Sequence, residues 1–453
     1  MKFVGLDIHK RVVQACILDE AGAQQAMRRF DLSVQSLVKF AEEELGADCA
    51  VALEATTNTW AVVDIIEPYC ARVVVSNPMR TKAIATAKVK TDKVDALVLA
   101  QLLRVEYLPP VWQPDAATRE ERSLASRRSA LTRQSIHLKN RLHSVLHQRL
   151  IQAPKDLFGK KGRQWLAALE LPPIAHGEVD TLLRLLDALV IEQTSLRVEI
   201  DRRGFANQNI KLLMTLPGVD VTIAHALVAA IGPIERFDSP ERLTAYFGLV
   251  PSVRQSAEHC YHGRITKQGN TNARWLLVQA AQAASRHPGP IGLQFAKLAR
   301  RKNRNVAVVA IARKLAALSW HLLTKREAYR YALPAVVETK LSRLRVSAQC
   351  AERKRGPRPG GSLSSLRNRG ALATCEVTER RTQRGGAAVR HRRTARRAPH
   401  RQRVGTARVR GPAANRRSQT ETLKESRSDP SRHECITGKS RVRGTGCGRL
   451  TGT

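Results

Sequence analysis

The sequence predicts an α/β layered domain, then a helical coiled-coil region, then a mostly α-helical domain, with a basic disordered tail at the end. Three observations carry this. Short β-rich runs alternate with helical spacings over residues 1–110. Leucines recur at helical intervals over 111–206, and 207–335 reads as compact and helical. From 336 to 453 apolar residues thin out while arginine accumulates.

The first domain opens with "KFVGLDI" and "VVQACIL", two β-rich runs separated only by "HKR", which predicts a hairpin. "QAMRRFDL" follows as a third strand. "SVQSLVKFAEEEL" has helical spacing with Ser33 placed to cap it. "CAVALEA" and "ARVVVSN" read as strands on either side of the helical "NTWAVVDIIEPY". "PMRTKAIATA" puts Pro78 at a first helical position. Hairpin strands followed by alternating helices and parallel strands is the order of an RNase H-like α/β fold.

Over 111–206, Leu131, Leu138, Leu142 and Leu146 keep helical spacing, and "VDTLLRLLDALVIEQTSLRVEI" does likewise. Two long helices with short loops predict an antiparallel or oligomeric coiled coil, or two helices packing only within the monomer. The third region opens with "TLPGVDVTIAHALVAAIG", which resembles a helix-hairpin-helix. Its Gly218 turn can present backbone N–H groups to a phosphate without reading sequence.

The formal net charge is +38 over 453 residues, which implies a polyanionic partner, most simply nucleic acid. The charge is not confined to the tail, because residues 1–340 hold 48 Lys and Arg against 32 Asp and Glu. From Leu341 onward the chain has 29 Lys and Arg against 7 acids and no aromatic residue. Such a segment buries too little surface to offset ordering entropy, so it is expected to be disordered. It is either an RNA-binding arm or sequence read past the domain's natural end. None of the eight cysteines forms a CxxC pair, and no leader precedes the first strand, so a cytoplasmic protein is expected.

Four acids stand at element edges. Asp7 ends the first apolar strand and Glu54 ends "CAVALEA" in the same way. Strand C-termini of open α/β sheets border the crevice where sites gather. Asp92 and Asp95, in "KTDKVDALVLAQLL", lie three apart and so share a helical face, with Thr91 placed to cap. A bare helix start would explain Asp92 alone, since acids suit the dipole there. Four acids facing one crevice instead suit Mg²⁺ or Mn²⁺ and phosphodiester chemistry. Lys10, Lys82, Lys88, Lys90 and Lys93 lie near them in sequence and can attract a phosphate backbone.

A second constellation is the polar stretch "GLVPSVRQSAEHCYHGRITKQGNTNARWLL", expected as a basic loop. It holds Arg254, Arg264, Lys267 and Arg274 around Ser256. A serine there can attack a phosphodiester if its hydroxyl is activated and the phosphate charge is neutralised. An ordinary loop serine is the bland alternative. "HCYH" lacks a second ligand pair, which argues against zinc.

"GLDIHK", "ALEATTNTW", "KTDKVDALVLAQLL", "LPGV…AIG" and "GLVPSVRQSAEHCYHGRITKQGN", in this order over about residues 1–330, resemble the DEDD transposases of bacterial insertion sequences. The RNA-guided members of that family are called bridge recombinases. The resemblance implies a RuvC-like N-terminal domain, a coiled coil and a serine-containing C-terminal transposase domain. It makes Asp7, Glu54, Asp92 and Asp95 the DEDD metal set and Ser256 a nucleophile that links covalently to DNA. It also implies a structured noncoding guide RNA and a dimer or tetramer with composite sites. The family typically has Gly after that serine; Ala257 stands here. Three rivals remain at this level. One is a RuvC-type junction endonuclease without a covalent step. Another is a non-catalytic nucleic-acid-binding protein. The third is an actin-like sugar kinase, which lacks its Gly-rich phosphate loops here.

Overall fold

The structure is a computed structural model and describes residues 1–85, 91–256 and 259–348. Strands β1 (Lys2–Ile8), β2 (Val12–Leu18), β3 (Gln24–Asp31), β4 (Cys49–Glu54) and β5 (Arg72–Ser76) form one sheet in the order β3-β2-β1-β4-β5. The first three run antiparallel, and β1, β4 and β5 run parallel. The "HKR" hairpin and the third strand fall where the sequence puts them. Helices α1 (Val34–Glu44), α2 (Thr59–Ile66), α3 (Pro78–Ile84) and α4 (Asp92–Arg104) complete this domain. Ser33 caps α1 by accepting from Ser36 N, and Asn77 caps α3 ahead of Pro78.

Alternation along the strands sorts side chains to two faces. Val4, Leu6 and Ile8 of β1 and Val51 and Leu53 of β4 pack with Leu37, Phe40, Val62 and Ile66 of α1 and α2. Phe3, Ala50 and Ala52 face the other way, against Ala96, Leu99, Ala100 and Leu103 of α4. Gly5 lies under α4, where an added Cβ would come within 2.1 Å of Ala96 O and 2.6 Å of Ala100 N. Small residues on both sides thus let α4 lie directly on the sheet. Gly5→Ala is expected to lift α4, with a loss of about 1–3 kcal/mol in thermal unfolding as for other overpacked cores.

Helices α5 (Ala116–His147), α6 (Lys160–Ala167) and α7 (Pro173–Ala206) form the middle region. The pairs Arg127–Glu192, Gln193–Leu131 O and Arg141–Glu178 show α5 and α7 running antiparallel within the chain. Leu142, Val145 and Leu146 close against Val179 and Leu182 at one end. Nearer the middle, Leu138, Leu185, Ala188 and Leu189 line an open apolar cleft. The start of α5 is fixed on both sides. Arg119 forks onto Asp64 of α2 at 2.9 Å, and Arg122 donates to Ala229 O and Ala230 O. The expected boundary near 110 is therefore a braced connection.

The third region holds α8 (Gln208–Met214), α9 (Val221–Ile231), α10 (Pro240–Tyr246), strands β6 (Pro251–Ser256) and β7 (His259–Ile265), α11 (Thr271–Ala284), α12 (Pro290–Arg301) and α13 (Arg304–Lys325). The polar stretch expected as a loop is a β-hairpin, β6 paired with β7. Its strands expose most of their side chains, so no buried face imposes an apolar alternation on the sequence. Helix α13 is long and apolar enough by composition to span a bilayer, and its Val308, Ile311, Ala312 and Leu315 are buried in the core of this region.

The expected start of the disordered tail also moves. Residues 336–347 lie in α14 (Pro334–Ser347), which buries Leu344 against the core. The Lys340 Nζ donates to the carbonyls of Met214 at 2.6 Å, Leu216 at 3.0 Å and Val219 at 2.8 Å. Composition averaged over the whole tail hides one short helix that borrows its core from the preceding domain. The remainder of the expected tail, 349–453, lies outside the described residues.

A buried polar network joins α5, α7 and α9. His225, 2% exposed, places Nε2 2.6 Å from Glu121, which also accepts from Arg203 at 2.7 Å. Burial pushes the His225 pKa below its usual value despite the nearby carboxylate. The imidazole is therefore neutral and donates through Nε2, leaving Nδ1 without a partner among the described residues. Burial works against the Glu121 carboxylate, but bonds from Arg203 and His225 outweigh it and hold its pKa low. Both depressed groups bind protons more weakly when folded, so stability is full above the unfolded His value of about 6.5 and falls below it. The melting temperature is expected to drop from pH 7 to pH 5, and the drop should be shallower in His225→Asn.

Candidate active site

The four acids stand at one end of the first sheet, with Asp92 and Asp95 close enough to Asp7 for their charges to act on it. Because β1 and β4 are parallel with Gly5 opposite Ala52 and Leu6 opposite Leu53, Asp7 and Glu54 end neighbouring strands. Both lie on the face covered by α4, since Gly5 and Ala52 do. Thr91 caps α4 by accepting from Val94 N, and Asp92 and Asp95 fill its first turn. The close seating of α4 over Gly5 brings that turn to the end of β1.

His9 completes the group. Its Nε2 is 3.1 Å from Asp7 Oδ2 and 3.2 Å from Asp92 Oδ1. Asp7, His9 and Asp92 each offer a ligand atom, and those atoms lie within 4.8 Å of one another. Asp7 is more enclosed than Asp92, with 15% of its side chain exposed against 48%. Burial raises its pKa, His9 opposes the shift, and the charges of Asp95 and Asp92 add to it. A carboxylate that burial and two acidic neighbours hold against ionisation, with hard oxygens beside it, fits a divalent cation. His9, two positions beyond Asp7 and so on the same face by strand alternation, carries no role on the sequence alone. The signal was the two-residue spacing in "GLDIHK", which carries a side chain past the strand end back over the same acid.

Ser256 lies elsewhere in the chain, at the exposed end of β6 and opposite His259 of β7. Arg254 is opposite Tyr261, the next pair along the same face. Ala257 is outside the described residues. Arg264 and Lys267 are exposed, and Lys267 takes a left-handed φ of +56°. Arg274 is half-buried and donates to Phe247 O at 3.0 Å and Thr271 Oγ1 at 3.3 Å, so its guanidinium also fastens the turn before α11. Gly218 has φ +78° in the turn between α8 and α9, and a Cβ there would meet Ala280 O at 2.2 Å, so one side of that turn rests on α11. Lys10, Lys82 and Lys93 are exposed, while Lys88 and Lys90 fall outside the described residues.

A transposase family model of the DEDD, IS110 type matches residues 4–150, and a model described as transposase IS116/IS110/IS902 family matches residues 210–297. The two segments hold the acid cluster and the serine hairpin respectively. The chain belongs to the IS116/IS110/IS902 transposase family. It is 26% identical over 343 residues to the transposase for insertion sequence element IS1111A of Coxiella burnetii, covering 73% of this chain and 92% of that protein. It is 25% identical to the pilin gene-inverting protein of Moraxella bovis, covering 72% and 97%. A putative transposase, y4qE, of Sinorhizobium fredii is 31% identical over 45% of this chain and half of its own length.

Family membership makes the chain an enzyme acting on DNA. The order of its parts, a mixed α/β region followed by a mostly helical one, agrees with a DEDD enzyme. The DEDD match also points to use of a divalent metal, and the Asp7, His9 and Asp92 group is where the described residues offer such a site.

Proposed function

We propose that this transposase is a site-specific DNA recombinase that moves its own insertion sequence. Its RuvC-like first domain would cleave and exchange DNA strands with Mg²⁺ or Mn²⁺ held by Asp7, Glu54, Asp92 and Asp95. The observation that supports this reading is the meeting of the strand-end Asp7 with Asp92 of the first turn of α4 across His9. A divalent ion held there would neutralise the phosphate and stabilise charge on the leaving oxygen. The chain's own part is to hold the carboxylates in place with α4 and to draw the DNA backbone in with Lys10, Lys82 and Lys93.

Ser256 is the proposed nucleophile. Its Oγ–P bond forms as the bond from phosphorus to a sugar oxygen breaks. The hydroxyl proton leaves to a base, and the leaving sugar oxygen takes up a proton. Attack by the hydroxyl of a new strand reverses the step. One phosphodiester is exchanged for another, so no external energy source is needed. Arg254 and Arg264, on the same hairpin, are suited to neutralise the phosphate during attack. The Gly218 turn, read as a helix-hairpin-helix, and Lys267 and Arg274 are assigned to backbone contacts.

The acids and the serine sit in separate regions of the chain, which supports a homo-oligomer with composite sites. The open apolar cleft along α5 and α7 offers a surface for it. The resemblance to bridge recombinases and the +38 charge support a noncoding guide RNA as second partner in a cytoplasmic, nucleoid-associated enzyme. The test is a covalent adduct. Incubation with Mg²⁺, guide RNA and labelled element ends should give a protein–DNA species that survives a denaturing gel. Cleavage without any adduct would favour a RuvC-type endonuclease that uses water.

A further inference from the structure

Between Glu258 and Glu327 the chain has no acidic residue and thirteen Lys and Arg. Five of these fall within eight positions, at Lys297, Arg300, Arg301, Lys302 and Arg304. They occupy the end of α12 and the start of α13, and all five are exposed. None forms an ion pair with an acid among the described residues. Like charges this close repel one another in the free protein. A folded surface that keeps such a cluster without counter-charge has a polyanion as its natural complement.

The geometry points to this corner of α12 and α13 as a second DNA-binding surface, separate from the acid cluster and the serine hairpin, that grips the backbone of a duplex. It rests on the reading of the chain as an enzyme acting on DNA. Two observations choose the duplex over other anions. Non-specific single-strand binding uses aromatic side chains on which bases stack. Here the one aromatic residue of α12, Phe295, is half-buried, with the Arg304 guanidinium 5.9 Å above its ring. A lipid surface would need a free apolar face. Ile291, Phe295 and Leu298 of α12 already face the domain core, leaving Leu293 as the strongly exposed apolar residue of that helix. What remains is a rigid, cationic helix end suited to phosphates and carrying no base-reading pattern.

The test measures binding of the full chain to a labelled duplex of unrelated sequence, by fluorescence anisotropy at several salt concentrations. The wild type is compared with Arg300→Gln/Arg301→Gln/Lys302→Gln. Each lost phosphate contact removes about 0.9 from the slope of log K against log salt, so the triple variant should be shallower by about 2–3. The adduct-forming reaction at saturating DNA should persist, which separates this surface from the proposed chemistry. If the triple variant fails to fold, Arg301→Gln alone should shift the slope by about one. An unchanged slope overturns the proposal. So does a loss confined to single-stranded RNA, or one confined to vesicles of anionic lipid.

Discussion

Asp7→Asn should abolish metal-dependent DNA cleavage and, in chelator, make the protein more resistant to heat. The first effect follows from its place. Asp7 is more enclosed than Asp92, bonds His9 and feels the charges of Asp92 and Asp95. Losing a central metal carboxylate should cost at least about 10³-fold in rate, as for other transition-state charge stabilisers. The second effect follows from the raised pKa. A carboxylate whose pKa is raised by folding binds its proton more tightly in the folded state, so ionising it at neutral pH costs stability. That cost vanishes as pH falls through the raised value, and asparagine removes it at every pH. Melting curves in EDTA should place the variant above the wild type at pH 7, with the gap closing toward pH 4. Added Mg²⁺ should raise the wild-type transition and leave the variant's unmoved.

Ser256→Ala should remove the covalent protein–DNA species and strand exchange together, by about 10³-fold or more, while leaving melting temperature and DNA affinity near wild type. The side chain is exposed at the end of β6, so its loss opens no cavity. An endonuclease that uses water would keep its cleavage rate in this variant. Measuring strand cleavage and adduct on the same gel lane separates the two outcomes.

Much of the first domain was legible because its signals are local and agree with one another. The "HKR" turn, Ser33, Pro78 and Thr91 all act where the sequence places them. Asp92 and Asp95 answered to two descriptions, a favourable helix start and part of a site, and the two are compatible because the Thr91 cap fixes the turn that carries both acids. The pairing of Asp7 with Glu54 depended on β1 and β4 being neighbours, which the element order implied. Other features were beyond local reading. Gly5 reads as an ordinary strand residue until α4 is laid over it. His9 gains a role only when Asp92, distant in sequence, arrives beside it. The hairpin of β6 and β7 buries too little to leave a periodic pattern, and α14 owes its helix to a core built by residues more than a hundred positions earlier.

The claim on which the rest depends is that the acids of β1, β4 and α4 form one divalent-metal site. Titrating Mn²⁺ into the metal-free protein, with free Mn²⁺ followed by electron paramagnetic resonance, tests it without DNA or turnover. Stoichiometric binding to the wild type that is lost in Asp92→Asn/Asp95→Asn, with the fold intact by circular dichroism, is the predicted result. Equal Mn²⁺ binding by the wild type and that variant would contradict it.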